Sequence, residues 1–312
     1  MAALPLVSIG IASYNNSLYL EELLESIRNQ TYPAIELVIV DDCSSDDSAA
    51  VIQRWLADNQ YPATFIRHEH NQGIVRTFSE CRHHATGEYL SLIGSDDILG
   101  PTMIAETIAA FERQGPDCGA IYADCRVIDS NSKEIAASFL RFFDPGFADS
   151  PPQGNLIVPL LTGFYLPALT TTMRRSALDS VGEYDTSLYS EDLDMWLRLS
   201  RQFRFVYLKA NLGAYRVHDT SAIHTNRVSL NETYFRIYGK ACFEGSAEWA
   251  AARHNLADHA EHYYASKGPA AKEKLWYAFR ESKRIKVGVF WALARIGISY
   301  KIVRQILDIK PR

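Results

Sequence analysis

The sequence predicts an α/β fold: an open, mostly parallel sheet with helices on both faces, followed by a C-terminal helical extension. Three observations point there. Short β-branched runs alternate with leucine-rich helical spacings through the first hundred residues. Three of the four strand runs end in polar or acidic residues, at the edge where such sheets bind ligands. After about Asn231 the chain reads as helix to its end, broken at Gly268-Pro269.

The elements follow in order. Val7 to Ala12 is a buried strand, and Tyr14-Asn15-Asn16 is turn chemistry. Leu18, Leu20, Leu23, Leu24 and Ile27 recur at helical spacing until Pro33. Leu37 to Val40 is a second strand, closed by Asp41-Asp42, and Ser44 to Asp47 can cap a helix carrying Val51, Ile52, Trp55 and Leu56. Thr64 to Ile66 is a third strand. Asn71-Gln72-Gly73 turns into a helix that Gly87 closes. Tyr89 to Ile93 is a fourth strand, followed by Gly94-Ser95-Asp96-Asp97, with Pro101 at a helix start. Glycine, proline and phenylalanine then punctuate an irregular stretch from 130 to 169. Beyond it come strands at Thr170 to Met173 and Phe205 to Leu208, and an acidic helix start at Glu191-Asp192-Leu193-Asp194.

Composition sets the bounds. The chain has 312 residues, 47% hydrophobic and 22% charged, which fits a folded protein and argues against disorder. A single core stops growing near ~250–300 residues, so two parts are expected, an α/β domain over 1–225 and a helical region over 226–312. The net charge of −5 does not suggest a nucleic-acid partner. Neither a signal peptide nor a spanning helix is expected. The five cysteines are scattered, without a CxxC pair, which fits a reduced cytoplasmic setting.

Taken alone, Asp96-Asp97 and Asp41-Asp42 are open to two readings. Each is either a capped turn or a pair of oxygen donors for a hard cation such as Mg2+ or Mn2+. The chain-wide order is more specific. Val7 to Asn15, Glu36 to Asp46, Asn71-Gln72-Gly73, Gly87-Glu88-Tyr89-Leu90, Asp96-Asp97, Arg174-Arg175, Val181 to Asp185, Glu191 to Leu199 and Tyr215-Arg216-Val217-His218 together resemble the family 2 inverting glycosyltransferases of the GT-A fold. The resemblance covers roughly residues 5–225.

The resemblance implies a role for each matched position. Ala12, Ser13 and Tyr14 line the nucleotide base, with Tyr14 stacking on it, and Asp42 accepts the imide N–H of uracil. Gly73 and Arg76 approach the diphosphate, although Arg76 departs from the usual spacing and reads equally as an exposed helix arginine. Asp96 and Asp97 form the DxD-type pair, with Asp97 a direct metal ligand. His218 reaches the metal or the diphosphate, or else satisfies a loop carbonyl. Asp192 is the general base. Its position near a helix N-terminus favours the anion, whereas Glu191 and Asp194 disfavour it. The implied activity is metal-dependent, inverting transfer of a hexosyl unit from a UDP-sugar to a glycan or lipid-linked acceptor, in bacterial surface polysaccharide assembly. Phe142, Phe143, Phe164 and Tyr165 stack on acceptor sugars or form core beneath the loop.

Residues 283–312 carry a net +7 while the rest of the chain carries −12. Residues 287–298 are almost wholly apolar. From 300 to 309, Lys301, Arg304, Gln305 and Asp308 fall on one helix face, and Ile302, Val303, Ile306 and Ile309 on the other. This segment reads as a peripheral anchor on the inner face of the plasma membrane, or as a packed helix or homodimer contact. The rival functions are a nucleotidyltransferase on a related sheet and a non-catalytic sugar-binding scaffold. The first lacks its glycine-rich, basic loop after the first strand, where the chain has Ser13-Tyr14-Asn15-Asn16-Ser17.

Overall fold

A computed structural model describes residues 4–219, 226–241, 247–268 and 270–306. Contacts divide the chain into two compact units. The first holds the residues up to Leu156 and Phe164–His218, and the second holds Ile157–Gly163 and the residues from Asp219 onward. The boundary expected at 225 falls in 220–225, outside the described residues.

The first unit runs β1 (Val7–Ser13), α1 (Ser17–Arg28), β2 (Ile35–Asp41), α2 (Ser48–Asn59), β3 (Thr64–Arg67), α3 (Ile74–His84), β4 (Tyr89–Gly94), β5 (Ile98–Leu99), α4 (Met103–Glu112), β6 (Cys118–Ile128), β7 (Glu134–Ala136) and α5 (Phe139–Phe143). Helix α6 (Ile157–Leu161) belongs to the second unit. The first unit resumes with β8 (Thr172–Arg174), α7 (Arg175–Val181), α8 (Asp192–Ser200) and β9 (Arg204–Arg216). Its sheet has the order β3-β2-β1-β4-β8-β6-β9-β5, with β7 against β6.

Strands β3, β2, β1 and β4 are parallel, as the alternating strand and helix signals predict. Val7, Ile9 and Ile11 of β1 are completely buried, as a parallel strand covered on both faces requires. Helix α1 seals one face with Leu20, Leu23, Leu24 and Ile27, each worth about 1.5–3 kcal/mol when buried. Glycine is required at 87, because a Cβ there would lie 2.7 Å from the backbone nitrogen of Ser8. The other half of the sheet is mixed. Strand β6 ends at the carboxyl edge and the chain returns to the sheet from that edge, so β8 runs antiparallel to both β4 and β6.

Several local expectations change. The stretch from 130 to 169 contains β7 and two five-residue helices, α5 and α6. The strand expected from Thr170 begins at Thr172, after a 3-10 turn over Ala168–Thr170. Asp47 occupies the N-cap of α2 without a side-chain bond; Asp46 instead accepts from the Ser48 amide and hydroxyl and from the Ser17 amide.

The second unit adds α9 (Arg227–Ala241), α10 (Ala247–Ala265), α11 (Ala271–Ser282), α12 (Ile285–Arg295) and α13 (Tyr300–Ile306). Its core includes Ala252, Leu256, Tyr263, Leu275, Val287, Phe290 and Val303. Asn255 of α10 donates to the Leu161 carbonyl at the end of α6. The predicted apolar segment 287–298 therefore buries only one face, through Val287, Phe290 and Ala294. Of the predicted amphipathic stretch, Val303 is buried, Ile302 is half exposed and Lys301 and Gln305 are exposed. Asp308 and Ile309, and the side chains of Arg304 and Ile306, lie outside the described residues.

Candidate active site

Parallel register brings the carboxyl ends of β1, β2 and β4 level: Ser13 pairs with Asp41, and Ala12 lies beside Gly94. The loop after β1 is stitched to the loops on either side. Asn15, at a φ of 52°, accepts from the Ser45 amide at 2.8 Å and donates its own amide to Ser44 Oγ at 2.9 Å. Asn16 Nδ2 donates to Ser95 Oγ at 2.9 Å. Tyr14 stands exposed at the mouth, and the neighbouring Ser13 is buried, 3.4 Å from Asp41 Oδ2.

The two aspartates after β2 divide their work. Asp41 is turned inward and accepts from the Ser44 amide and hydroxyl. Asp42 faces the Asn71-Gln72-Gly73 turn. Its Oδ1 accepts from the Gln72 amide at 2.7 Å and lies 2.7 Å from His68 Nδ1, and its Oδ2 accepts from the Gly73 amide at 2.8 Å. Glycine suits position 73 because its φ is 87°. His68 is buried between Asp42 and Glu80, with Nε2 2.7 Å from Glu80 Oε2. Burial opposes the imidazolium, but the two carboxylates outweigh it and hold His68 above its ordinary value. Arg76 is exposed on α3.

The loop after β4 meets the end of β9. The Arg216 amide donates to Asp97 Oδ1 at 2.9 Å, and His218 Nε2 lies 2.9 Å from Asp96 Oδ2. Arg216 is buried and locks both segments. Its Nε donates to the Asp96 carbonyl at 2.6 Å and its Nη2 to Glu22 Oε2 at 2.6 Å. Its Nη1 donates to Ser132 Oγ at 2.8 Å, and its guanidinium sits 4.6 Å from the Tyr19 ring centroid. The Tyr19 ring in turn lies 5.0 Å from that of His218. Asp97 is buried and pushed well above the usual carboxylate range, first by burial and then by the charge of Asp96.

Helix α8 begins at the third acidic position. Burial pushes Asp192 up to about 6, while a hydrogen bond with Glu191 works in the opposite direction. Glu191 is itself pushed well above its ordinary value by burial and by Asp192. The hydrogen bond between the two carboxyls favours the Asp192 anion, opposite to the influence expected of Glu191. Asp194 is turned away to Arg198 Nε at 2.9 Å. Asp192 lines a small cavity with Leu92, Thr171, Met173, Tyr184 and Trp196. Tyr165 connects the acidic groups. Its hydroxyl is raised first by burial, then by Tyr215, Asp192 and Asp97, so the fields of Asp192 and Asp97 meet there.

The structure thus brings Asp96 and His218 into contact, ties Asp97 to the backbone of Arg216, and sets Asp192 in a cavity with Leu92 of β4. Phe164 is core, packed on Tyr122 and Phe147, whereas Phe142 is half exposed. Sequence reasoning missed His68 and the role of Arg216, and it named Tyr165 only as an acceptor-stacking or core residue and Glu191 only as an influence on Asp192. Arg216 stood inside the quoted Tyr215 to His218 motif, and its strand position beside an acidic loop was the available signal.

The acidic loop suits a divalent cation. It offers hard oxygen donors on adjacent residues with an imidazole alongside. Burial and the charge of Asp96 disfavour the Asp97 anion, a penalty that a bound cation would relieve. Among the described residues no three His, Cys, Asp or Glu side chains gather as a cation site. A cation here would therefore draw further oxygens from a bound phosphate, as Mg2+ commonly does.

This sheet, with an acidic edge built from β1, β2, β4 and β9, defines a GT-A-type glycosyltransferase fold. Residues 8–180 match Glycosyl transferase family 2, and the chain belongs to that family. Among curated relatives is the GalNAc(5)-diNAcBac-PP-undecaprenol beta-1,3-glucosyltransferase of Campylobacter jejuni. It is 20% identical over 238 residues, covering 75% of this chain and 71% of the relative. S. aureus TarS 1-349, solved in complex with UDP-GlcNAc, superposes with a TM-score of 0.67 at 16% identity, covering 93% of this chain and 87% of TarS. The mannosyltransferase PcManGT of Pyrobaculum calidifontis, solved with GDP-Man and Mn2+, gives 0.60 at 18% identity, covering 98% and 88%.

Proposed function

We propose that this glycosyltransferase moves a hexosyl unit from a UDP-sugar to a hydroxyl of a glycan or lipid-linked saccharide, with inversion, in bacterial surface polysaccharide assembly. The observation that carries the reading is that Asp192, raised by burial to about 6, opens α8 and lines one cavity with Leu92 of β4, the strand that leads into Asp96-Asp97. Such a group is ionised at neutral pH yet basic enough to take a proton. TarS with UDP-GlcNAc and PcManGT with GDP-Man support a nucleotide-sugar donor, and the Campylobacter relative supports a lipid-linked acceptor.

In this reading Ala12, Ser13 and Tyr14 receive the base. Asp42, with three of its roughly four acceptor directions already used, holds the Gln72-Gly73 turn and offers what remains to the uracil imide. Gly73 presents backbone to the diphosphate, with Arg76 on the helix that follows. Asp97, Asp96 and His218 would hold a Mn2+ or Mg2+ ion, which when bound supplies Lewis-acid stabilisation of the leaving diphosphate. Asp192 removes the proton of the acceptor hydroxyl as that oxygen bonds to the anomeric carbon. The bond from that carbon to the diphosphate oxygen breaks, and the diphosphate leaves with the electron pair. No enzyme nucleophile is needed, so one displacement inverts the centre.

The test is a thermal-shift panel of UDP-, GDP- and TDP-sugars with and without Mn2+, followed by hydrolysis and transfer assays on Asp192→Asn. A UDP-sugar shift that needs Mn2+, with binding kept and turnover lost in Asp192→Asn, is the expected result. Normal turnover by that variant would require another base.

A further inference from the structure

We infer that the second unit docks through α12 onto an anionic lipid surface without crossing it. The inward face of α12 is Val287, Phe290 and Ala294, all buried. At 100° per residue the opposite face carries Ile285, Val289, Ala292 and Ile296, at i, i+4, i+7 and i+11. Ile285 is 80% exposed, Ile296 is 72% exposed, and Val289 and Ala292 are partly or fully open to water. An apolar stripe held in water on an otherwise packed helix marks an interaction face. Beside it, Trp291 pairs with the half-exposed Trp276 of α11 at 4.6 Å between centroids, with the Arg295 guanidinium 5.4 Å from the Trp291 ring. Tryptophan with arginine suits the headgroup level of a bilayer.

Charge selects the occupant. Lys286 and Arg284 are consumed inside the unit by Glu261 and Asp258, whereas Lys283, Arg295 and Lys301 are exposed. A cavity lined by Lys267, Lys272, Glu273 and Lys301, with Tyr264, Ser299 and Tyr300, lies just beyond the stripe. Ser299 is three residues from Ile296, so the two are at most about 11 Å apart. A second copy of this chain would set the exposed Lys283, Arg295 and Lys301 of one copy near those of the other. The stripe is also only about 17 Å long and about 10 Å wide, so two of them bury far less than the ~1,200 Å² of a stable pair. An anionic bilayer meets both the charge and the apolar area. Among the described residues no helix is long and apolar enough to cross a membrane, so the contact is interfacial.

The experiment is flotation of the full chain with phosphatidylcholine vesicles and with phosphatidylglycerol-rich vesicles. Binding is expected to the anionic vesicles, to fall with salt, and to drop roughly fivefold for each exposed cation neutralised in Lys283→Gln and Arg295→Gln. The double change Ile285→Glu with Ile296→Glu is expected to lower it on the order of 100-fold. Both side chains are exposed, so the melting temperature and UDP-sugar hydrolysis of this variant should match those of the unaltered chain. Equal binding to neutral vesicles, or unaltered binding by the double variant, overturns the inference. So does light scattering that shows a dimer which the double variant splits, because the stripe then belongs to a second copy.

Discussion

The backbone amide of Arg216, the last residue of β9, donates to Asp97 Oδ1 at 2.9 Å, so a carboxylate 119 residues earlier in the chain is aimed by the strand that pairs with β5 just after it. Burial and Asp96 hold Asp97 well above the usual carboxylate range. A raised acid value means that the unfolded chain releases the proton more readily. Stability is therefore lost as pH climbs past the ordinary value of 3.8. Asp97→Asn removes that burden. Without divalent cations it should melt at or above the temperature of the unaltered chain at neutral pH, each kcal/mol regained being worth about 2–4 °C. The same variant should lose the Mn2+-dependent shift with UDP. Persistence of that shift would remove Asp97 from the cation's ligands.

Arg216→Lys tests the clamp. The guanidinium is buried and reaches the Asp96 carbonyl, Ser132, Glu22 and the Tyr19 ring at once, which an ammonium cannot do. The expected destabilisation is about 2 kcal/mol, below that of a fully buried pair because water reaches Glu22. As a positioning residue, Arg216 should act on the cation and the donor rather than on proton removal. Mn2+ affinity should fall roughly 10–100-fold, with a higher KM for the UDP-sugar and a smaller change in kcat. A fall in kcat alone would contradict this.

How much of this was legible depended on whether the signal was local. The parallel strands β1, β2 and β4 show in sequence because apolar runs end in turn or acidic residues, and the helix faces show because Leu20, Leu23, Leu24 and Ile27 keep their period. Strand β6, eleven residues and nearly all buried, went unread because Asp124, Cys125 and Arg126 interrupt its β-branched character. Arg216 went unread because a single arginine at the end of a strand ordinarily reaches water. Asp192 shows the limit most clearly. Its neighbours were visible, but the dominant influence is burial, which packing decides.

That burial has a kinetic signature. With Asp192 raised to about 6 from an ordinary 3.8, the active form is the ionised one, so kcat/KM should rise with pH and level off above about 6. Glu191 supplies a hydrogen bond that favours the anion. Glu191→Ala should therefore move the acidic limb upward, while Glu191→Gln, which still donates, should leave it near 6. Asp192→Asn should cost roughly 10²–10⁴ in transfer and leave donor binding intact. A pH profile that Glu191→Ala does not move would break the link between the two carboxyls.

His68 gives a dependence of opposite use. It lies 2.7 Å from both Asp42 and Glu80, and its raised value means the imidazolium is favoured by the fold. A raised base contributes fully below its ordinary 6.5, and the contribution fades as pH climbs through the folded value. His68→Gln can still hydrogen-bond but cannot carry the charge. The melting-temperature gap between the unaltered chain and this variant should be widest near about pH 6 and narrow toward about pH 9. Asp97, Glu191 and Asp192 titrate in both proteins and cancel in the difference. Asp42 also takes the Gln72 and Gly73 amides, so the same titration should loosen the turn that faces the diphosphate. The KM for the UDP-sugar should therefore rise with pH in the unaltered chain and stay flat in His68→Gln. A gap in melting temperature that is constant from about pH 6 to about pH 9 would mean that the fold leaves the proton affinity of this imidazole unchanged.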